Sequence, residues 1–306
     1  MMVAIFHLAR SSGLPYKTFD YACYGWTGVQ IFFVISGFIL PYSLYKTGFE
    51  IRDFGVFILK RIIRVYPAYI AAILIGVVLT FITHRENIPT MALFSQLLFV
   101  NDILGSPYSS VVFWTLAIEI QFYLVVGLLY PFFIKSNTMA IILVFALSLA
   151  AFLMKANNGL IFEWFPFFGI GILAFNKMFT NLTGHVFWLA MANLIIIVVI
   201  AHGIPHAIAA LFAVLFILYG AFKKETPVIK AFLFLGTISY SLYLIHWDLG
   251  RAAVRLSRYI PLINQVGFLQ VTVGIMASVF FAWLLYISVE KGSARISVNI
   301  RYKKKG

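Results

Sequence analysis

The chain has 306 residues, of which 62% are hydrophobic and 11% charged, against roughly half apolar and a quarter charged in a soluble domain; a wholly soluble fold is excluded. The net charge of +13 would suggest a nucleic-acid partner in a soluble protein. Here the basic residues sit between apolar blocks and at the C-terminal end, as the positive-inside bias has it, so no nucleic-acid partner is expected, and the single cysteine, Cys23, allows neither an internal disulfide nor a metal-ligand spacing.

The apolar blocks run about 17–25 residues, enough to cross a hydrocarbon core of about 30 Å. They do not alternate, which predicts helices rather than barrel strands. Met1–Arg10 lacks the charged lead and full apolar region of a signal peptide. At about 1.5 Å per residue it is too short to cross a membrane, and it reads as the second half of a first helix whose beginning is missing. Gly25–Tyr45 is the first full span. A basic loop with Lys46, Arg52, Lys60, Arg61 and Arg64 follows, then a span over Tyr66–Thr83 and a polar connector, His84–Asn87. Met91–Val100 is half a span, re-entrant or interfacial. Further spans are expected over Val111–Ile134, Ala140–Met154, Ile161–Phe175, His185–Ala201, Ala207–Phe222, Ala231–Trp247 and Gly267–Val289. The fold class is therefore all-α: a polytopic transmembrane bundle of about ten helices, the first truncated. Residues 1–290 form the transmembrane domain and 291–306 a basic cytoplasmic tail.

Placing the loop Lys46–Arg64 in the cytoplasm puts Lys135, Lys177, the run Lys223–Lys230 and the tail on the same side. Arg251, Arg255 and Arg258 fall on the other side, against the bias; one use for such a loop is contact with an anionic acceptor.

Polar residues inside apolar spans carry the chemical information, since a carboxylate at a helix centre costs about 2.5–3.5 kcal/mol on insertion scales. Glu119 lies about two turns into its span, and Thr115, Glu119 and Tyr123 share one helical face. It can serve a base as orienter, or be a structural carboxylate bonded to a neighbouring helix. Arg61 and Arg64 share a face at the mouth of a span. Two guanidinium groups there suit a phosphorylated ligand, and equally a topology anchor touching lipid head groups. His7 and His246 are each either a base or a packed, hydrogen-bonded histidine.

Five segments carry a family resemblance: Ile31–Phe38, Lys60–Pro67, Trp114–Tyr123, Ile238–Trp247 and Val289–Lys291. In this order they resemble the bacterial membrane acyltransferase family 3, which contains O-acetylases of cell-surface polysaccharides. The resemblance covers nearly the whole chain. It implies an acyltransferase of the inner membrane, its C-terminus cytoplasmic, that uses acyl-CoA, chiefly acetyl-CoA, as donor and a cell-surface or lipid-linked glycan as acceptor. The lipid bilayer is its other partner, with no tightly bound cofactor and no metal. By the same resemblance His7 is the catalytic base and Glu119 the functional carboxylate. Arg61 and Arg64 bind acyl-CoA, and Ser36, Trp114, Gln121, Tyr240 and His246 contact substrate. The chain departs from the family in two places. The arginine about three turns before the first histidine would precede Met1, and Gly292 stands where the late motif carries proline. The competing expectations are a polysaccharide or lipid transporter and an inactive, truncated homologue.

Overall fold

The computed structural model describes residues 1–12, 14, 23–84, 90–153, 159–220 and 226–302. Arg85–Asn87 of the polar connector, Lys223 and Lys224, and Lys303–Lys305 of the tail lie outside the described residues. Among the described residues there is helix and no strand, as a chain in lipid requires when each backbone group must bond within its own segment.

In chain order the helices are α1 (Met2–Ser11), α2 (Gly28–Thr47), α3 (Phe54–His84), α4 (Thr90–Leu97), α5 (Asn101–Leu104), α6 (Trp114–Lys135), α7 (Asn137–Leu153) and α8 (Ile161–Phe179). Then come α9 (Gly184–His202), α10 (Ile204–Tyr219), α11 (Pro227–Thr237), α12 (Ser239–Ile245), α13 (Arg251–Ser257), α14 (Pro261–Asn264), α15 (Gly267–Leu285) and α16 (Lys291–Asn299). Two π-helical turns, His246–Gly250 and Tyr286–Glu290, join α12 to α13 and α15 to α16. Local chemistry sets several ends. Gly48 takes the left-handed conformation that closes α2 (φ 64°), which glycine adopts without a Cβ clash. Thr226 caps α11 through its side chain, with Pro227 in the first turn.

Five of these helical stretches are long and apolar enough to cross a membrane, and six if one bent pair counts as a span. Shorter apolar helices, α1, α7 and α10, occupy three further positions where spans or half-spans were expected. Helix α4, with eight residues, is too short to cross, as expected for Met91–Val100. Two expectations change. The basic loop ends early: α3 begins at Phe54, so Lys60, Arg61 and Arg64 lie on one continuous helix that runs through Pro67. The single span over Ala231–Trp247 is instead two helices meeting at 59°. Thr237 and Ser239 bend back to the carbonyls of Leu233 and Gly236 there, competing with the helical ladder. Helix α16 carries the chain on from Lys291 to Asn299.

The chain divides into two compact units. One holds Met1–Trp26, Lys60–Trp114 and Phe222–Asn299; the other holds Thr27–Leu59, Thr115–Ala221 and Ile300–Gly306. In the second unit α8 is the axis, packed by α2, α7, α9 and α10. It is buried from Phe165 to Asn176 without interruption, as befits a helix apolar all round. Its Phe168 ring stacks on Phe122 at 4.0 Å and meets Phe33 at 4.7 Å. Gly37 and Gly171 let α2 and α8 touch backbone to backbone. A Cβ on Gly37 would overlap the Phe168 carbonyl, and one on Gly171 the Val34 carbonyl.

In the first unit α1, α12, α13 and the His246–Gly250 turn pack against α15. Leu8, Ala9, Val254 and Val271 form a buried cluster at the α1–α13–α15 meeting point. Helix α16 docks on the start of α3. Ser293 and Ser297, four apart, donate to the carbonyls of Arg64 and Lys60, also four apart, so small residues let these helices approach closely.

Candidate active site

Polar side chains of the first unit gather where α1 meets the π-turn. A π-turn adds a residue to the helical turn and re-aims the side chains around it, which is why such turns recur at functional sites. His246 opens this one and is 1% exposed. Its Nδ1 lies 2.8 Å from the Tyr243 carbonyl and 3.1 Å from that of Leu242. Carbonyl oxygens only accept, so the proton must sit on Nδ1 and Nε2 must carry a lone pair. Nε2 is buried and has no hydrogen-bond partner. His7, half-buried on α1, places its ring centroid 5.5 Å from that of His246 and meets Trp247 edge-on at 4.7 Å. The Arg251 guanidinium lies over the other ring contact of the group, 4.1 Å from the Trp247 centroid. Asp248 approaches Ser110, whose Oγ is buried without a hydrogen-bond partner.

A second polar knot lies further back along the same rod. Ser241 donates its hydroxyl (2.5 Å) and its backbone N–H (3.2 Å) to Glu290 Oε2. Arg64 is within electrostatic reach of that carboxylate. Tyr240 donates to the Val65 carbonyl at 2.9 Å, and Tyr243 to that of Val112 at 3.0 Å. From Ser241 to Arg251 is ten residues, about 15 Å of helix, with His246 midway.

Of the residues singled out by sequence, His7, Arg61, Arg64, Trp114, Tyr240 and His246 fall in the first unit, and Ser36, Glu119 and Gln121 in the second. The structure brings His7 and His246 together. Arg61 and Arg64 lie one turn apart on α3, the first partly buried and the second exposed. Trp114 opens α6, half-buried. In the second unit, Tyr123 donates to Glu119 at 2.6 Å, the pairing that their i, i+4 spacing implies. Ser36 sits half-buried beside Gly37. Gln121 uses both ends of its amide to hold the start of α8: it donates to the Gly159 carbonyl at 2.8 Å and accepts from Ile161 N–H at 2.9 Å. Sequence reasoning passed over Asp248, Arg251 as a neighbour of the histidines, and a role for Glu290. The rule that an intramembrane charge asks for a reason would have found the first.

The profile of the family described as "Acyltransferase domain" matches residues 1–287. The chain belongs to that acyltransferase family. It is 31% identical over 131 residues to a proposed acetyltransferase of Acidianus two-tailed virus, ORF330, a match covering 42% of this chain and 37% of the relative. It is 34% identical over 123 residues to a proposed peptidoglycan O-acetyltransferase of Bacillus subtilis strain 168, YrhL, covering 35% of this chain and 19% of the relative. The chain thus spans well under half the length of these two relatives. No solved structure matches it.

Proposed function

We propose that this acyltransferase-family chain moves an acyl group, acetyl in the first instance, from acyl-CoA to a hydroxyl of a cell-surface or lipid-linked glycan. It does so in a bacterial inner membrane, with its C-terminus in the cytoplasm. The observation that carries the reading is the imidazole pair of His7 and His246, with a buried, unpartnered Nε2 on the latter. A general base needs such a lone pair, set within reach of the proton it removes.

In this reading His7 takes the acceptor hydroxyl proton, and His246 Nε2 stands ready to share it. The oxygen adds to the thioester carbonyl, the O–C bond forms, the C–S bond breaks, and the proton passes to the departing CoA thiolate. Glu119, held by Tyr123 in the second unit, is the functional carboxylate that the family resemblance implies. Arg61 and Arg64 hold the CoA phosphates, a task for which the planar, permanently charged guanidinium is suited. Trp114 and Tyr240, both in the first unit, line the route of the acyl chain.

The test follows release of free CoA thiol from acetyl-CoA by the protein in membranes. The relative named for peptidoglycan O-acetylation makes a muramyl glycan the first acceptor to try. His7→Ala should lower kcat by about 10²–10⁴, Glu119→Gln should lower kcat, and Arg64→Ala should raise the KM for acetyl-CoA with kcat little changed. Acceptor-dependent release that survives both His7→Ala and His246→Ala would overturn the assignment.

A further inference from the structure

We propose that Arg251, held over Trp247, is the binding site for an anionic group, carboxylate or phosphate, on the acceptor. The inference rests on the acyl-transfer reading for what the acceptor is, and on separate residues for its charge.

Arg251 sits at the far end of the π-turn from His246, with its guanidinium 4.1 Å from the centre of the Trp247 ring. That ring also receives the edge of His7, so one indole fixes both the imidazole and the guanidinium. The Arg251 Nε is buried and has no hydrogen-bond partner. Asp248 is within electrostatic reach, but among the described residues the two form no ion pair. A half-buried cation without a bonded counter-ion is costly in an apolar span, and stacking on indole recovers part of that cost while leaving the donor edge open.

The surroundings keep one sign. Segments Met2–Ser11 and His246–Arg258 together carry Arg10, Arg251, Arg255 and Arg258 against the single carboxylate Asp248. Arg258 donates to the Ser11 carbonyl at 2.6 Å, tying α13 to the end of α1. Arg10 and Arg251 both lie within electrostatic reach of His7. An anion seated on Arg251 would therefore be drawn in by a positive rim and held beside the imidazole pair. There it would fix which hydroxyl of the acceptor faces the base. Planar, bidentate recognition is what a guanidinium does best with carboxylate or phosphate.

The experiment measures binding with no acyl donor present, so it does not depend on catalysis. Full-length protein in nanodiscs of neutral phosphatidylcholine is titrated calorimetrically with trigalacturonate and with its methyl ester. The acid should bind at least tenfold more tightly than the ester. Arg251→Gln should abolish that preference, and Arg255→Gln should keep most of it. If Arg251→Gln does not fold, Arg251→Lys, which keeps the charge but not the planar fork, should lose most of the preference. Equal affinities, no saturable binding of either probe, or a preference that survives the Arg251 variants would overturn the proposal. So would loss of acid binding when phosphatidylglycerol replaces a third of the lipid, since the guanidinium would then belong to lipid phosphate. A preference without CoA release would sink the acyl-transfer reading and leave the anion site standing; release without a preference would do the reverse.

Discussion

Glu290 is 6% exposed and relies on Ser241 for two hydrogen bonds. Ser241→Ala removes the stronger donor and leaves a buried carboxylate oxygen short of a partner, which costs about 1–3 kcal/mol. The apparent melting temperature in detergent should fall accordingly, whereas Thr272→Ala, an exposed hydroxyl bonded only to its own helix, should barely move it. Tyr108, outside the spans, donates to Asp102 at 2.6 Å. Burial pushes its phenol up, reinforced by that hydrogen bond. The folded state therefore keeps the proton while the unfolded chain gives it up, so stability is full below about pH 10 and falls as pH rises beyond it. Tyr108→Phe should make the alkaline limb of a melting-temperature profile shallower. At this scale much was legible in sequence. Intramembrane polarity picked out His7, Glu119 and His246, and spacing gave the Tyr123–Glu119 pair. The Ser241–Glu290 bond was not legible, because its partners are 49 residues apart and nothing local couples them.

Helix contacts give a sharper test, because two glycines face opposite situations. At Gly37 an added methyl meets the Phe168 carbonyl, while at Gly55 it meets nothing within 4 Å. Gly37→Ala should force α2 from α8 and destabilise by about 1–3 kcal/mol. Gly55→Ala should be neutral or stabilise by up to about 1 kcal/mol through helix propensity. Thermal unfolding of the two variants side by side decides it. Element positions were read well from apolar block length. Their ends were not, since a basic stretch such as Lys60–Arg64 looks like loop in a hydropathy pattern yet is good helix-forming sequence. The break near Ile238 depends on hydroxyls choosing backbone partners, which apolar periodicity does not register.

Across the whole molecule, apolar side chains face outward in rows. On α3, Ile70, Leu74, Val78 and Ile82 follow at four-residue intervals, each at least 40% exposed, a stripe that water would not tolerate at this length and lipid would. With Cys23→Ser as background, single cysteines at Gly48 and Ser136 should react with a membrane-impermeant maleimide from one side only, and a cysteine at Ile260 only from the other. Labelling of Gly48 and Ser136 from opposite sides would refute the span order. The division into two units was hidden from sequence, because each is assembled from stretches far apart in the chain.

The π-turn at His246–Gly250 also makes the count of residues matter more than their identity. Each residue of an α-helix advances the side chain by about 100°. Deleting Leu249 would let the turn relax to ordinary α-helix. That keeps the face that α13 turns to α15, because the wide turn holds its extra residue without advancing the helix, but it re-aims the side chains of the turn itself, Trp247 and Asp248 among them. Replacing Leu249 with another apolar residue leaves the register intact. Mutational drift at this position should therefore be tolerated while length drift is not, so that a single lost codon does what no single missense change there can do.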